Sequence, residues 1–533
     1  MKTLFLNENK NEDIDKAAEV LKNGGVVAIP TETVYGLAAD ALNPSAVEKI
    51  FFAKGRPSDN PLIVHVADFS EVSPLVTEIP NAAEKLAKAF WPGPLTIIMN
   101  KSELVPSIIS GGLDTVAIRF PANLTTQKLI KAAGVPLAAP SANISGKPSP
   151  TKYEHVKGYL DGRADAIIDG GDCAVGLEST VITLVDGIPR VLRPGAITLE
   201  QLKSVLGEVE VDTAVLNETE IKKVLSPGMK YKHYAPLASV TIVDASPKEY
   251  IDFVNEQDAV ALCFDEDIKQ LKIPYVSYGG RYCADEQAQR LFSALHSLDD
   301  MEAQKAFAHI PQKNGIGLAV YNRLLRAAGF KIINPNNHYI VGLTGPTGSG
   351  KSTVAKHLNE FGFFTIDCDA VSKSPETYDS ECLSDLQNAF GRDIILNGEL
   401  NRKLLAERAF SSDEGKKKLN AITHPKISIR IQEIIKQAFA DGEKVIVIDG
   451  PTIFEAGMDF YCSKIIAVIA PKKLRIERIT KRDSISVEAA ESRINAQHDD
   501  EFFLKRADYS IIDNGEIDLV KTLLPIVREL KIT

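Results

Sequence analysis

Gly345-Pro346-Thr347-Gly348-Ser349-Gly350-Lys351-Ser352 fits the pattern G-x-x-x-x-G-K-[ST], an arrangement suited to phosphate. Glycines let the backbone turn its N–H groups onto phosphate oxygens, and the start of the following helix adds partial positive charge. Lys351 would reach the β and γ phosphates of ATP, and the Ser352 hydroxyl would ligate Mg²⁺. Gly345, Gly348, Ser349, Gly350 and Thr353 complete the expected nucleotide cradle. Asp367 and Asp369 close a second apolar run, where small-molecule kinases hold the acceptor hydroxyl and the metal. Asp449 ends a third run, Val445-Ile446-Val447-Ile448, at the usual position of a carboxylate serving Mg²⁺. Far upstream, Lys54-Gly55-Arg56 sets two cations one residue apart, which suits a polyphosphate. Alone, such a pair is usually a solvated surface feature.

These groups need elements to hold them. Ile340 to Thr344 reads as a strand entering the glycine turn, and Val354, Ala355 and Leu358 continue at helical spacing. A P-loop normally follows the first strand of its domain, yet 344 residues precede this one, so something complete must lie upstream. There, Val26 to Pro30 is a β-rich run leading into the hydroxyl cluster Thr31-Glu32-Thr33, closed by Gly36. Asn60 to His65, Thr115 to Arg119, Pro140 to Asn143, Gly176 to Val181 and Arg193-Pro194-Gly195 follow. Short strands broken by polar, Gly/Pro-rich turns argue an α/β domain whose turns converge on a site. Residues 201–225 read as a helix followed by a linker, and Ser226 to Pro236 as an extended segment with prolines near both ends. Val240 to Val243 and Ala259 to Cys263 read as strands, Gly317 to Ala328 as a helix, and Lys331 to Asn337 as a turn-forming connector. Lys472 to Asp483 is helical and rich in cations, either a solvated face or a lid carrying an arginine to a phosphoryl group.

The totals agree with several soluble domains. A chain of 533 residues has a prior of about three or four. Its 44 % hydrophobic and 25 % charged composition is that of ordinary globular protein. Residues 1–338 carry 34 − 41 = −7 and residues 339–533 carry 27 − 30 = −3, so neither part has the basic balance of a nucleic-acid binder, and stable nucleic-acid binding is not expected. Six scattered cysteines without a C-x-x-C pair point to reduced thiols and a cytoplasmic location. No apolar run approaches a membrane span.

Over about residues 10–200 the chain resembles the YrdC-type threonylcarbamoyl-AMP synthases, through Lys54-x-Arg56 combined with Ser141-x-Asn143. The resemblance implies formation of threonylcarbamoyl-adenylate and pyrophosphate from L-threonine, bicarbonate and ATP. It implies a threonine pocket of Thr33, His65, Arg119 and Ser179, and an ATP set of Lys54, Arg56, Asn60, Thr115, Ser141, Asn143, Ser149 and Arg193. Residues 206–238 are similar to the linker of the longer, two-domain members, which folds over the active site, so Tyr231 and Tyr234 are expected near the nucleotide. Residues 239–333 then resemble those members' small Rossmann-like α/β domain. The adenylate would pass to a tRNA-modifying transferase complex. An RNA-binding module without synthase activity is the rival reading.

Over about residues 339–530 the chain resembles dephospho-CoA kinase, through Asp367-x-Asp369, Gly398-x-Leu400-x-Arg402, His424-Pro425, Pro451-x-x-Phe454-Glu455, Lys481-Arg482-Asp483 and Arg493-x-x-x-Gln497. The resemblance implies transfer of the ATP γ-phosphate to the ribose 3′-hydroxyl of dephospho-CoA by a parallel α/β P-loop domain with a helical lid. Asp369 would be the general base and Arg482 the lid cation, with Asp367, Arg402, His424 and Glu455 on the acceptor side. Thr452-Ile453 and Ser374-Pro375-Glu376 depart from the family pattern, which leaves a different small-molecule acceptor as the alternative. The expected organisation is a synthase domain over 1–205, a linker over 206–238, a small domain over 239–333 and a kinase domain over 339–533.

Overall fold

The computed structural model describes residues 2–58, 60–185, 187–215, 234–396 and 399–531. Tyr231, Gly398 and most of the expected linker lie outside the described residues. The packing of the chain divides it into two units, one of residues 1–243 with 251–333, the other of residues 244–250 with 334–533. No helix among the described residues is long and apolar enough to cross a membrane.

The first unit is built on a mixed sheet of eleven strands. Across its middle run Val27–Ile29, Gly36–Asp40, Leu137–Ala138, Ile63–His65, Thr115–Arg119, Leu95–Asn100, Thr180–Thr183 and Arg190–Arg193. Successive side chains on a strand face opposite ways. Accordingly Ala28 and Leu37 enter one core while Val27, Ile29 and Ala38 enter another, and the sheet is covered on both faces. The polar turns are thereby left at the strand ends. The helix Pro44–Lys54 starts on Asn43, whose side chain accepts from the Ala46 N–H, with proline at its first position. It stops at Gly55, whose φ of 58° is the left-handed cap that glycine tolerates, and this turn throws Lys54 and Arg56 toward the sheet edge.

The same unit carries a second sheet of five parallel strands, in the order Tyr275–Ser277, Val260–Cys263, Lys305–His309, Ser239–Val243 and Ile332–Ile333. The last strand differs from the sequence reading. Ile332 and Ile333, β-branched, pair with Ile242 and Val243, so the connector begins only at Asn334.

The second unit is a parallel sheet ordered Phe364–Asp367, Val445–Asp449, Tyr339–Thr344, Lys464–Ile469 and Tyr509–Ile512. Its strands are near-continuous apolar runs because helices cover both faces. Ile340, Ile446, Ile448 and Ile465 pack to one side, Val341, Leu343, Val447 and Ile466 to the other. Asp367, Thr344 and Asp449 therefore finish neighbouring strands at one edge. The cation-rich segment is a helix over Lys472–Asp483 as expected, whereas His424-Pro425 lies inside one 28-residue helix, Asp413–Ala440.

Candidate functional site

In the first unit a cleft opens at the strand ends. Thr33, Lys54, Arg56, His65, Arg119, Ser141, Asn143, Ser179, Arg193 and Tyr234 all line it. Lys54 is buried, and its ammonium donates to the carbonyls of Ser141 and Asn143, which joins the two sequence motifs through one side chain. Ser141 Oγ donates to Asn143 Oδ1 at 2.5 Å, and the Asn143 amide donates to the carbonyls of Ile144 and Lys147. Arg56 Nη2 donates to the Pro61 carbonyl at 3.3 Å. Arg119 donates to Thr33 Oγ1 at 2.9 Å and pairs with Glu32 at 2.6 Å. Arg193 donates to the carbonyl and the hydroxyl of Ser179 at 3.0 and 3.1 Å. Asn60 and Ser149 are buried beside the cleft without lining it, and Thr115 sits at the end of its strand away from Arg119. Ser149 reaches the cleft through Glu178, whose Oε1 accepts its hydroxyl at 2.5 Å.

The cleft is lined by four cationic side chains, Lys54, Arg56, Arg119 and Arg193. Burial, with Arg56 beside it, pushes the Lys54 ammonium well below its ordinary value. Burial would raise Glu178, yet Arg323 and then Arg193 outweigh it and hold the carboxyl below the usual range. Glu32 is likewise held down by Arg119 against the effect of burial. Burial, aided by Arg119, lowers His65 to about 3, so its imidazole is neutral near pH 7. An unfolded histidine titrates near 6.5. Between that value and about 3 the unfolded chain therefore binds a proton that the folded one refuses, and stability falls as pH drops through this window. The slope is on the order of 1.4 kcal/mol per pH unit. His65→Gln is expected to flatten the decline of the thermal midpoint between pH 6.5 and 4; an unchanged slope would show that His65 is not the buried neutral group described.

In the second unit the chain turns at Gly345, Gly348 and Gly350, with φ of 147°, 78° and 98°, before the helix Lys351–Glu360. A Cβ on Gly345 would stand 2.2 Å from the Val468 carbonyl oxygen. Gly345→Ala is thus expected to abolish nucleotide binding by this unit, read by calorimetry with the other cleft silenced by Arg56→Ala. Retained affinity would contradict this geometry. Lys351 pairs with Asp449, whose carboxyl is raised by burial although Lys351 opposes the shift. Ser349 is buried inside the turn, while Ser352 and Thr353 are exposed at the helix start.

A cleft in the second unit is lined by Asp369, Arg402 and His424 among mostly apolar side chains, with Thr452 and Ile453 in its wall. Asp367 does not line it. Its carboxylate caps the helix Cys368–Lys373, accepting from the N–H groups of Asp369 and Ala370 at 2.8 and 3.1 Å. Arg402 donates to the Ser372 carbonyl at 2.9 Å. Burial lowers His424, against the charge of Glu455, and Glu455 itself faces His498 at 3.5 Å outside the cleft lining. Arg482 pairs with Asp483 at 2.8 Å, and Asp483 also takes Arg493 at 2.6 Å.

The cation-rich helix and Arg493-x-x-x-Gln497 were expected from the sequence, but not the contacts that their side chains make. Arg475 donates to the Thr347 carbonyl at 2.9 Å, Arg478 to that of Gly348 at 3.3 Å, and Gln497 accepts from the Thr347 N–H at 2.8 Å. The base of the lid helix is thereby tied to the P-loop backbone. The cation-rich composition marked the helix but not which cations face the loop. In the first unit, Glu178 and Arg323 were missed because 145 residues separate them.

Residues 19–195 match the Sua5, YciO and YrdC family model, described as telomere recombination. Residues 197–329 match the threonylcarbamoyl-AMP synthase C-terminal domain, and residues 339–518 match dephospho-CoA kinase. The chain is 46 % identical over 327 residues to a threonylcarbamoyl-AMP synthase of Pyrococcus abyssi, covering 60 % of this chain and 94 % of that protein. It is 40 % identical over 185 residues to a dephospho-CoA kinase of Corynebacterium diphtheriae, covering 34 % of this chain and 92 % of that protein. The crystal structure of P. abyssi Sua5 complexed with L-threonine matches at 43 % identity with a TM-score of 0.58, over 63 % of this chain and 99 % of that one.

Proposed function

We propose that this chain, which belongs to the threonylcarbamoyl-AMP synthase family through residues 19–329 and to the dephospho-CoA kinase family through residues 339–518, is a bifunctional enzyme carrying both activities. The observation that carries this reading is that the first unit gathers cations and hydroxyls around one cleft, while the second unit separately holds the glycine turn before Lys351 and a cleft lined by Asp369, Arg402 and His424.

In the first cleft, Arg119 takes the carboxylate of L-threonine through paired hydrogen bonds, with Thr33, His65 and Ser179 around it. Neutral His65 adds no charge there. The threonine amine nitrogen bonds to the carbon of bicarbonate, a C–O bond of bicarbonate breaks and water leaves, giving a carbamate. One carbamate oxygen attacks the α-phosphorus of ATP, the bond to the bridging oxygen breaks, and pyrophosphate leaves. Lys54, Arg56 and Arg193 face the charge that develops on phosphoryl oxygens, and Lys54 and Arg193 are buried, where fixed charges act more strongly than in water. The polyphosphate restores to Lys54 the positive charge that burial opposes. Ser141 and Asn143 orient the nucleotide by holding Lys54 and the loop that carries them. Tyr234, buried at the cleft, belongs to the described part of the linker, with Tyr231 assigned to the nucleotide by motif position alone. Asn60, Thr115 and Ser149 serve from outside the lining. The product then goes to a transferase that carries threonylcarbamate onto tRNA.

In the second unit, the loop amides and Lys351 hold the phosphates of ATP, and Asp369, which lines the cleft, takes the proton of the ribose 3′-hydroxyl as its oxygen attacks the γ-phosphorus. Arg482 stands on the lid to neutralise the transferring group, exchanging Asp483 for phosphate. Arg402 and His424 hold the acceptor, with Glu455 behind His424 and Asp367 positioning Asp369 by capping its helix. A hydroxyl and a carboxylate are hard oxygen donors, and Ser352 with Asp449 fit Mg²⁺, which takes few protein ligands beside water and phosphate. When bound, Mg²⁺ supplies charge stabilisation at the phosphates.

The reading is tested by omission and by acceptor choice. Pyrophosphate release should require both threonine and bicarbonate, and ADP formation should respond to dephospho-CoA above other hydroxyl acceptors. Release without threonine, or equal use of unrelated acceptors, would overturn the respective half.

A further inference from the structure

Resting on the synthase reading above, we infer that Arg323, supplied by the small domain, is a positioning residue of the synthase site: it occupies Glu178 and thereby keeps Arg193 available to ATP. Arg323 is fully buried on the helix Gly315–Ala327, in a domain with no catalytic motif of its own. Its Nε donates to Glu178 Oε2 at 2.8 Å and its Nη2 to the Glu178 carbonyl at 3.3 Å, while Nη1 donates to Asn322 Oδ1 at 2.9 Å. Asn322 is itself anchored on the Val215 carbonyl at 2.6 Å. Glu178 lines the cleft and is 6 % exposed, with its other oxygen taken by Ser149. Both carboxylate oxygens are thus engaged away from Arg193, which bonds Ser179 through Nε and Nη2 and has Nη1 left to turn to a phosphate.

The small domain is set firmly enough for this. Gly176, φ 79°, approaches so near the helix Ala284–Asp300 that a Cβ would lie 2.4 Å from Gln289 Cα. Tyr234 packs against Phe292 at 5.3 Å, with the Arg323 guanidinium 5.9 Å from its ring centre. Without Arg323, a buried carboxylate would lose its main partner, and Arg193 is the next cation whose field reaches it. A buried charge left uncompensated is strongly destabilised, which favours a new pairing with a cation in reach. Here that would withdraw Arg193 from the polyphosphate.

The test measures ATP affinity by calorimetry in a full chain carrying Lys351→Ala, so that binding reports the synthase cleft, alongside threonine-dependent pyrophosphate release and thermal melting. Arg323→Met should weaken ATP at least tenfold, raising KM for ATP more than it lowers kcat. Adding Glu178→Gln should bring affinity back to within about threefold of the parent, since the reason for capturing Arg193 is gone. Parental affinity in Arg323→Met, or a double variant as weak as Arg323→Met, overturns the inference and leaves Arg323 a structural strut. If melting shows that Arg323→Met does not fold, Arg323→Lys decides. It keeps the charge and should bind ATP within about threefold, and a folded Arg323→Lys weaker by more than tenfold overturns the inference. A parent that binds ATP but releases no pyrophosphate sinks the synthase reading instead, and the affinity series still judges Arg323.

Discussion

Asp369→Asn should lower dephospho-CoA phosphorylation by about 10²–10⁴-fold while ATP affinity barely moves. The substitution keeps the shape of the side chain and removes the carboxylate that would take the acceptor proton. Asp369 is the member of the Asp-x-Asp pair that faces the acceptor cleft, whereas Asp367 spends one oxygen on two backbone N–H groups of the helix Cys368–Lys373. The phosphates of ATP depend on Lys351 and the glycine turn, which the change leaves alone. Steady-state turnover and nucleotide binding together decide the matter. Near-normal turnover would move the proton acceptor to Asp449, which stands at the neighbouring strand end with its carboxyl raised by burial.

Arg56→Ala should reduce threonine-dependent pyrophosphate release by about 10²–10³-fold, the usual cost of removing one fixed donor that faces developing charge. Arg56 lines the first cleft directly after the Gly55 cap, beside Lys54, and its Nη2 reaches the Pro61 carbonyl at 3.3 Å. Two of the three Lys54 donors are held by carbonyls, which fixes the ammonium in place, so it cannot swing across to replace the lost guanidinium. Dephospho-CoA phosphorylation by the same variant should be unchanged, because Arg56 belongs to the first unit alone. Release at the parental rate would remove Arg56 from the ATP set.

The two motifs Lys54-x-Arg56 and Ser141-x-Asn143 were legible in the chain, and so was the strand–turn–helix around Lys351. Both rest on short spacings that local geometry enforces, a glycine cap in one case and three positive-φ glycines in the other. The lid helix was legible from its run of cations and keeps the bounds Lys472–Asp483. What was not legible depends on long-range closure. Ser149, Glu178 and Arg323 form one buried chain of hydrogen bonds only after the small domain has packed. The two acids of Asp-x-Asp look equivalent in sequence, and the helix start at Cys368 separates them into a cap and a cleft-facing group. Ile332 and Ile333 read as connector because a two-residue strand has no periodicity to detect.

The claim that one chain holds two separate ATP-using sites is tested most directly by the masses of the products formed when the full chain is incubated with ATP, Mg²⁺, L-threonine, bicarbonate and dephospho-CoA. The account predicts threonylcarbamoyl-AMP with pyrophosphate, and coenzyme A with ADP, with Arg56→Ala deleting only the first pair and Asp369→Asn only the second. Absence of either pair from the parent chain, or the loss of both pairs in a single variant, would contradict it.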